Sequence, residues 1–329
     1  MKVAVLCGGI SSEHEISCLS AAGVISAIDR SKFETELIGI TKSGKWVRLP
    51  ENHVFEIRSG KLPTVPEDLD EIQIQEIDAD VVFPVLHGPF GEDGTIQGLF
   101  EMFRIKYVGN GVLASALAMD KAVAKDVFKA HGLKTARSSI IRKGEPISNK
   151  GIAYPLFIKP ARGGSSKGTH KVKKESELAS AIEDAFNYDS KLLVEEAIVG
   201  REIECAIIEV NGEIKASLPG QVVIDPKFEF YDFEAKYLDN ATTLDAPAKI
   251  KKIDELMEMA VIAFKALDCN GLARVDFLYT EDDQIIINEL NTMPGFTQSS
   301  QYPRLWAATG LTYKEIVSIL IENALKKSR

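Results

Sequence analysis

A chain of 329 residues exceeds the usual size of one compact unit, so two or three units with a sizeable buried core are expected. Hydrophobic residues at 45% and charged residues at 26% match ordinary soluble usage, and no stretch has the unbroken apolar length that a bilayer span needs. The formal charge of -9 disfavours nucleic acid or an anionic membrane as partner, since both are held through Lys and Arg, but it leaves room for a local basic pocket holding phosphate.

Val3 to Cys7 reads as a buried parallel strand, ended by Gly8-Gly9 and followed by a helix over about Ser17 to Asp29, the opening of an α/β domain. The apolar run is too short for a signal-peptide core. Cys7, Cys18, Cys205 and Cys269 are scattered without a Cys-x-x-Cys pair, so neither a zinc site nor a disulfide framework is expected, and the reducing cytoplasm is the natural compartment. Residues 35 to 50 alternate like further strand, whereas 50 to 80, rich in Pro and acids, reads as peripheral elaboration. Ala79 to Val85 resumes a core strand, the loop His87 to Gly94 follows, and a helix begins near Thr95. Both glycine-bearing loops lie at carboxyl ends of parallel strands, where open α/β sheets bind ligands. From about residue 115 a helix carries Met119-Asp120-Lys121, then Tyr154 to Pro160 and Leu192 to Glu196 read as strands of a second unit. In the third, a helix over Asp254 to Leu267 sets Leu256, Ala260, Ala263, Phe264 and Leu267 on one stripe, and Thr312-Tyr313-Lys314-Glu315 opens the last helix with a capping box.

The most derivable site is the predicted hairpin of Leu272 to Thr280 and Gln284 to Asn291 around Asp282-Asp283. With those two residues as the loop, Asp276 stands opposite Glu289, and alternation adds Arg274 and Asn291 to the same face. Two carboxylates and a carboxamide suit magnesium bridging nucleotide phosphates, with Arg274 meeting a phosphoryl oxygen. A solvated strand face is the competing explanation; the sequel Thr292 to Thr297 favours the site, because Gly295 lets a backbone N–H approach a reacting centre. Lys159 to Gly168, rich in Gly and Ser, reads either as a phosphate clamp or as a surface hairpin. It is not a Walker A loop, since Gly168 is followed by Thr169 and His170. Glu195, Glu196 and Glu202 at a strand end can accept from ribose hydroxyls or be simply solvated. No Gly-x-Gly-x-x-Gly follows the first strand, and Glu13 there suits an ammonium group better than a pyrophosphate.

Taken together, Gly8 to Ser17, His87 to Thr95, Glu234 to Tyr237 and Asn288 to Pro303 closely resemble D-alanine–D-alanine ligases of the ATP-grasp superfamily, over nearly the whole chain. The resemblance implies an α/β fold with α+β elements in three domains: a Rossmann-like N-terminal parallel sheet over 1–112, a central ATP-grasp unit over 113–203, and a C-terminal catalytic unit over 204–329 with a lid loop at 226–243. By that resemblance Glu13 holds the ammonium of the first D-alanine and His87 sits beside its carboxylate, while Ser165 and Tyr237 orient Glu13. Lys121, Lys159 and Lys236 meet the ATP phosphates; Glu195, Glu196, Ile198 and Glu202 meet the adenosine end. Asp276, Glu289 and Asn291 hold two magnesium ions, with manganese as an alternative, Arg274 and the Gly295 N–H stabilise transition states, and Ser300 binds the second carboxylate.

The implied reaction passes through an acyl phosphate to D-alanyl-D-alanine for peptidoglycan precursors, in a cytoplasmic homodimer acting on small amino acids with no nucleic-acid or membrane partner. Two departures stand out: Glu196 replaces the usual Lys or Gln, and Gln301 replaces the apolar residue usual beside Ser300. Tyr237 favours a dipeptide product, whereas Gln301 keeps D-serine open as acceptor, with D-lactate as the other alternative. From a different class, a nucleotide-binding regulator without catalysis is the remaining reading.

Overall fold

Two neighbours in parallel register explain why the first apolar run is buried on both edges. In the computed structural model, which describes residues 1–50, 53–57, 60–224 and 242–327, β1 (Lys2–Gly8) lies between β2 (Glu34–Ile40) and β4 (Val81–Pro84), parallel to both. A parallel pair needs a crossover, and α1 (His14–Ala27) supplies it between β1 and β2. The helix starts earlier than Ser17, directly after Glu13.

Residues 35 to 50 do not form one strand. A turn over 41–45, with Gly44 at φ +93° and the Thr41 N–H donating to Lys45 O at 2.8 Å, folds β3 (Trp46–Leu49) back antiparallel onto β2. Five residues cannot make a parallel crossover, so the expected parallel sheet carries one antiparallel edge, in the order β3-β2-β1-β4. Nor is the 50 to 80 stretch merely peripheral, because Phe55 and Val65 belong to the main core. A Cβ on Gly39 would lie 2.6 Å from Val65 Cγ1, so the bare glycine is what lets Val65 seat there. The Val65 N–H then donates to His14 Nε2 at 3.0 Å, tying the segment to the N-terminal turn.

After α2 (Thr95–Phe103), the helix predicted through Met119-Asp120-Lys121 is two helices, α3 (Val112–Met119) and α4 (Lys121–Ala130). Asp120 breaks them: its ψ of 95° is extended, and its carboxylate accepts the Ala122 and Val123 N–H groups as an N-cap. The break puts Lys121 on the first turn of α4, whose N–H donates to Ala161 O at 2.9 Å. A second sheet follows in the order β5-β8-β6-β7, from β5 (Ser138–Arg142), β6 (Leu156–Pro160), β7 (His170–Val172) and β8 (Lys191–Glu196), all neighbours antiparallel. The helix α5 (Glu175–Ala185) buries Leu178, Ala181, Ile182 and Ala185 against it.

The third sheet orders β12 (Thr242–Asp245), β11 (Gly220–Ile224), β9 (Arg201–Val210), β13 (Leu272–Tyr279) and β14 (Ile285–Asn291), with β10 (Glu213–Ala216) also on β9. Beneath it α6 (Ile253–Ala266) buries the predicted stripe of Leu256, Ala260, Ala263 and Phe264, with Leu267 just beyond its end. Each such fully buried Leu or Phe contributes about 1.5–3 kcal/mol by leaving water. The helices α7 (Gln301–Thr309) and α8 (Tyr313–Lys326) close the chain, and Thr312 and Glu315 form the predicted reciprocal cap. Among the described residues no helix is long and apolar enough to cross a membrane, and all four cysteines are buried and unpaired by disulfides.

Candidate functional site

The three sheets meet around a cleft of about 1280 Å³. That exceeds the roughly 300–1,000 Å³ of a single small-ligand pocket, so the space suits more than one ligand. Its floor is the β13–β14 hairpin, where Asp276 does stand opposite Glu289 and Arg274 opposite Asn291. The route to that register differs from the two-residue loop. Gln284 O accepts the Thr280 N–H at 3.1 Å, leaving a three-residue loop with Asp283 at φ +60°, and Tyr279 pairs with Ile285. A bulge between Asp276 and Phe277 on one side and Glu289 and Ile287 on the other absorbs Asn288 and restores the pairing. Its second effect is to send Asn288 into the cleft beside Glu289, where Asn288 Oδ1 accepts from Lys159 Nζ at 3.4 Å.

Arg274 is clamped in place. Its Nε and one terminal nitrogen donate to the two oxygens of Asp276, both at 2.7 Å, and Glu204 Oε2 lies 3.4 Å from Nε. Glu204, which the sequence reading missed, stands on β9 directly across from Asp276, so a row of three carboxylates, Glu204, Asp276 and Glu289, crosses three strands. Asn291 Nδ2 donates to Asp276 Oδ2 at 2.9 Å. Asp276, Glu289 and Asn291 therefore offer oxygen donors of the kind that hard divalent cations take.

Opposite this acidic row stands a cationic wall. Lys121 Nζ donates to Gly163 O at 2.7 Å and lies 3.3 Å from Glu289 Oε2, so it spans the glycine loop and the hairpin. Lys159 lines the cleft and donates to Glu195. Glu195 and Glu196, expected at the adenosine end, do not line the cleft themselves. The Glu195 carboxylate, on a residue 2% exposed, sits between Lys159 and Lys125, with Lys125 Nζ at 2.7 Å, and Glu196 Oε1 accepts the Arg137 N–H at 2.6 Å. Burial would raise the pKa of Glu195, but Lys159 and Lys125 outweigh it and hold the carboxyl at about 2. Burial likewise pulls Lys159 down, yet Glu195, Glu289 and Glu202 leave it raised and charged, whereas for Lys125 burial wins and its pKa is lowered. Lys125 carried no sequence signal. Ile198 and Glu202 do line the cleft.

The loop after β6 reaches across to the N-terminal sheet. Ser165 and Ser166 adopt φ of +51° and +57°, a conformation uncommon for residues with a side chain, and the Ser165 hydroxyl donates to Glu13 Oε1. Glu13 is the N-cap of α1 but makes no side-chain cap, so its carboxylate is turned to the cleft at the positive end of the helix. Two glycines let it fit: a Cβ would lie 2.5 Å from Glu13 Oε2 on Gly88, at φ +75°, and 2.9 Å on Gly164. His87 is buried and has both ring nitrogens engaged, Nδ1 with Met293 O at 3.1 Å and Nε2 with Ser20 Oγ at 2.9 Å. A carbonyl only accepts, so Nδ1 carries the proton and Nε2 accepts. Burial, against the nearby Glu13, lowers the His87 pKa and keeps the ring neutral.

At the far end Gly295, Ser300 and Gln301 line the cleft. A Cβ on Gly295 would stand 3.1 Å from Ser300 Oγ, and that hydroxyl accepts the Thr297 N–H at 3.1 Å. Lys236 and Tyr237, with the loop 226–243 up to residue 241, lie outside the described residues.

Comparisons with known proteins identify the family. The family model described as D-ala D-ala ligase N-terminus matches residues 2–110, and that of the D-ala D-ala ligase C-terminus matches residues 127–322. A D-alanine–D-alanine ligase from Oceanobacillus iheyensis is 42% identical, covering 100% of this chain and 96% of its own, and one from Geobacillus thermodenitrificans is 44% identical, covering 99% and 96%. Among solved structures, a D-Ala:D-Ser ligase from Enterococcus faecalis superposes with a TM-score of 0.81 at 35% identity, covering 98% and 99%, and a D-alanine–D-alanine ligase from Coxiella burnetii with 0.80 at 33%, covering 99% and 95%. With both family models matched in order and relatives aligned end to end, the chain belongs to the D-alanine–D-alanine ligase family and is a ligase.

Proposed function

We propose that the chain joins two D-alanines at the expense of ATP, giving D-alanyl-D-alanine for peptidoglycan precursors through an acyl phosphate. The observation that carries the reading is the hydrogen bond from Ser165 to Glu13, which brings a carboxylate suited to an ammonium group against the glycine loop suited to phosphates. The first D-alanine then lies with its ammonium on Glu13, and its carboxylate oxygen attacks the γ-phosphorus as the bond to ADP breaks. The second D-alanine, its carboxylate toward Ser300, attacks the acyl carbon through its amine and phosphate leaves. Lys121 and Lys159 face the phosphates, and Arg274 with the Gly295 N–H meets the anionic oxygen of each transition state. Holding both amino acids in one cleft removes much of the entropic barrier.

Asp276, Glu289 and Asn291 fit magnesium by their oxygen donors, two ions in the family's pattern with manganese as an alternative, and the metal would neutralise phosphate charge. An acyl phosphate needs shelter from water, a role this reading gives to 226–243 with Lys236 and Tyr237. The same reading divides the chain into three units near residues 112 and 203, the second position falling within β9. It also makes the protein a cytoplasmic homodimer, the compartment supported by four free cysteines.

Purified protein with ATP, magnesium and D-alanine is expected to release ADP in a D-alanine-dependent manner, followed by a coupled assay. Silence at saturating substrate would reject the ligation. The same assay with D-serine, D-lactate or L-alanine beside D-alanine tests the acceptor. D-serine is the second reading, favoured by Gln301 in the cleft beside Ser300, and a clear preference for D-alanine rejects it. In Gly88→Ala, the added Cβ meets Glu13 at a positive φ, so kcat/KM for D-alanine is expected to fall about 100-fold, with ATP affinity retained.

A further inference from the structure

Glu92 has no part in the steps above, yet its carboxyl group is half-buried in the lining of the cleft, with Oε2 accepting the Gly88 N–H at 2.6 Å and Oε1 the Met293 N–H at 3.2 Å. The Glu92 N–H donates back to Gly88 O at 2.9 Å, so Gly88 is held through both its N–H and its carbonyl. Gly88 is the residue whose left-handed backbone makes room for Glu13. Met293 is held the same way from the other side: its N–H by Glu92 and its carbonyl by the Nδ1–H of His87. Two residues further on is Gly295, and Phe296 O accepts from Tyr313 Oη at 2.5 Å over the bare Cα of Gly23.

We propose that Glu92 is a positioning residue for the ligation, one carboxyl group that ties the Gly88 wall of the Glu13 pocket to the segment presenting the Gly295 N–H, with His87 as its partner on Met293. This rests on the ligase reading. The chemistry explains the residue type: two backbone N–H groups point at one side chain, and only a carboxyl offers an acceptor oxygen to each. A glutamine of the same shape would turn an NH2 group toward one of the two N–H donors. Burial and then Glu13 push the Glu92 carboxyl up to about 8, and in either protonation state both of its oxygens keep a lone pair for an N–H, which the nitrogen of an amide does not. What the two bonds fix is the spacing between the ammonium site and the oxyanion donor.

The test is Glu92→Gln, assayed with the unaltered enzyme for kcat, KM of D-alanine and KM of ATP, with ATP binding measured by calorimetry. The expected result is a fall in kcat of about 100-fold, the size that a displacement of about 1 Å produces, with ATP binding unchanged. A role confined to folding would lower thermal stability and leave kcat per folded enzyme intact, and that outcome overturns the proposal. Should the glutamine variant fail to fold, Glu92→Asp keeps the acid but is too short by one methylene to reach both N–H groups, and the same split between kcat and ATP binding is expected. Wild-type kcat in either variant also overturns it. Lack of D-alanine-dependent ADP release in the unaltered enzyme instead overturns the ligase reading.

Discussion

Glu289→Gln is expected to lower D-alanine-dependent ADP release by about 100- to 1,000-fold, a loss of roughly 3–4 kcal/mol of transition-state stabilisation. The substitution keeps the shape and one oxygen but removes the charge from the β14 end of the acidic row, where Glu289 pairs with Asp276 across the hairpin and lies 3.3 Å from Lys121. Folding should change little, because Glu289 is half-buried at the cleft and the β13–β14 ladder is held by backbone bonds and by the buried Ile285, Ile287 and Leu290. Two effects separate under titration with magnesium. If Glu289 acts as a metal ligand, the magnesium concentration giving half-maximal rate rises in the variant, and excess metal restores part of the activity. If it only fixes Lys121, the KM for ATP rises and the magnesium midpoint stays. Unchanged activity would remove Glu289 from the site altogether.

The hairpin also shows what a sequence can disclose. Alternation placed Arg274, Asp276, Glu289 and Asn291 on one face, and that face is the floor of the cleft. The ladder used to get there was wrong near the turn, where Tyr279 pairs with Ile285, and correct beyond it only because Asn288 bulges out. Turn chemistry misled here: Asp283 takes a left-handed φ of +60° that Asp tolerates, so three residues close the loop where two were expected. Local signals served well elsewhere, as with the Thr312 and Glu315 cap and the α6 stripe. They failed where the decisive contact is distant. Glu92 meets Met293 across 201 residues, Ser165 meets Glu13 across 152, and Glu204 matters because β9 happens to flank β13. Val65 looked like loop because its burial depends on Gly39 and Gly8 lacking side chains, a complementarity that no periodicity encodes. The family resemblance pointed to Glu13 and Ser165, and the fold brings the two side chains into hydrogen-bond contact in one cleft.

Glu195→Gln should be the most damaging of the buried changes, costing on the order of 3–5 kcal/mol in urea unfolding at neutral pH, because it leaves Lys125 and Lys159 facing each other without their shared anion. The pH dependence gives an independent sign. The folded carboxyl sits at about 2 against an ordinary 4.5, so its contribution is fully present above 4.5 and is lost as the pH falls toward 2. That shift corresponds to about 3 kcal/mol, in line with the cost of removing the charge. The difference in stability between unaltered protein and variant should therefore be widest at pH near 7 and should narrow on acidification through this window. Lys125→Met probes the same triad from the far side. It leaves Glu195 and Lys159 as a one-to-one pair and replaces a cation whose pKa burial already lowers, so its cost in stability should be smaller than that of Glu195→Gln. Activity should still suffer in the methionine variant. With Lys125 gone, Glu195 is drawn wholly to Lys159, which holds that ammonium back from the phosphates and raises the KM for ATP. Equal stability of Glu195→Gln and the unaltered protein at neutral pH, or a gap that widens in acid, would show that the buried triad does not hold the wall of lysines in place.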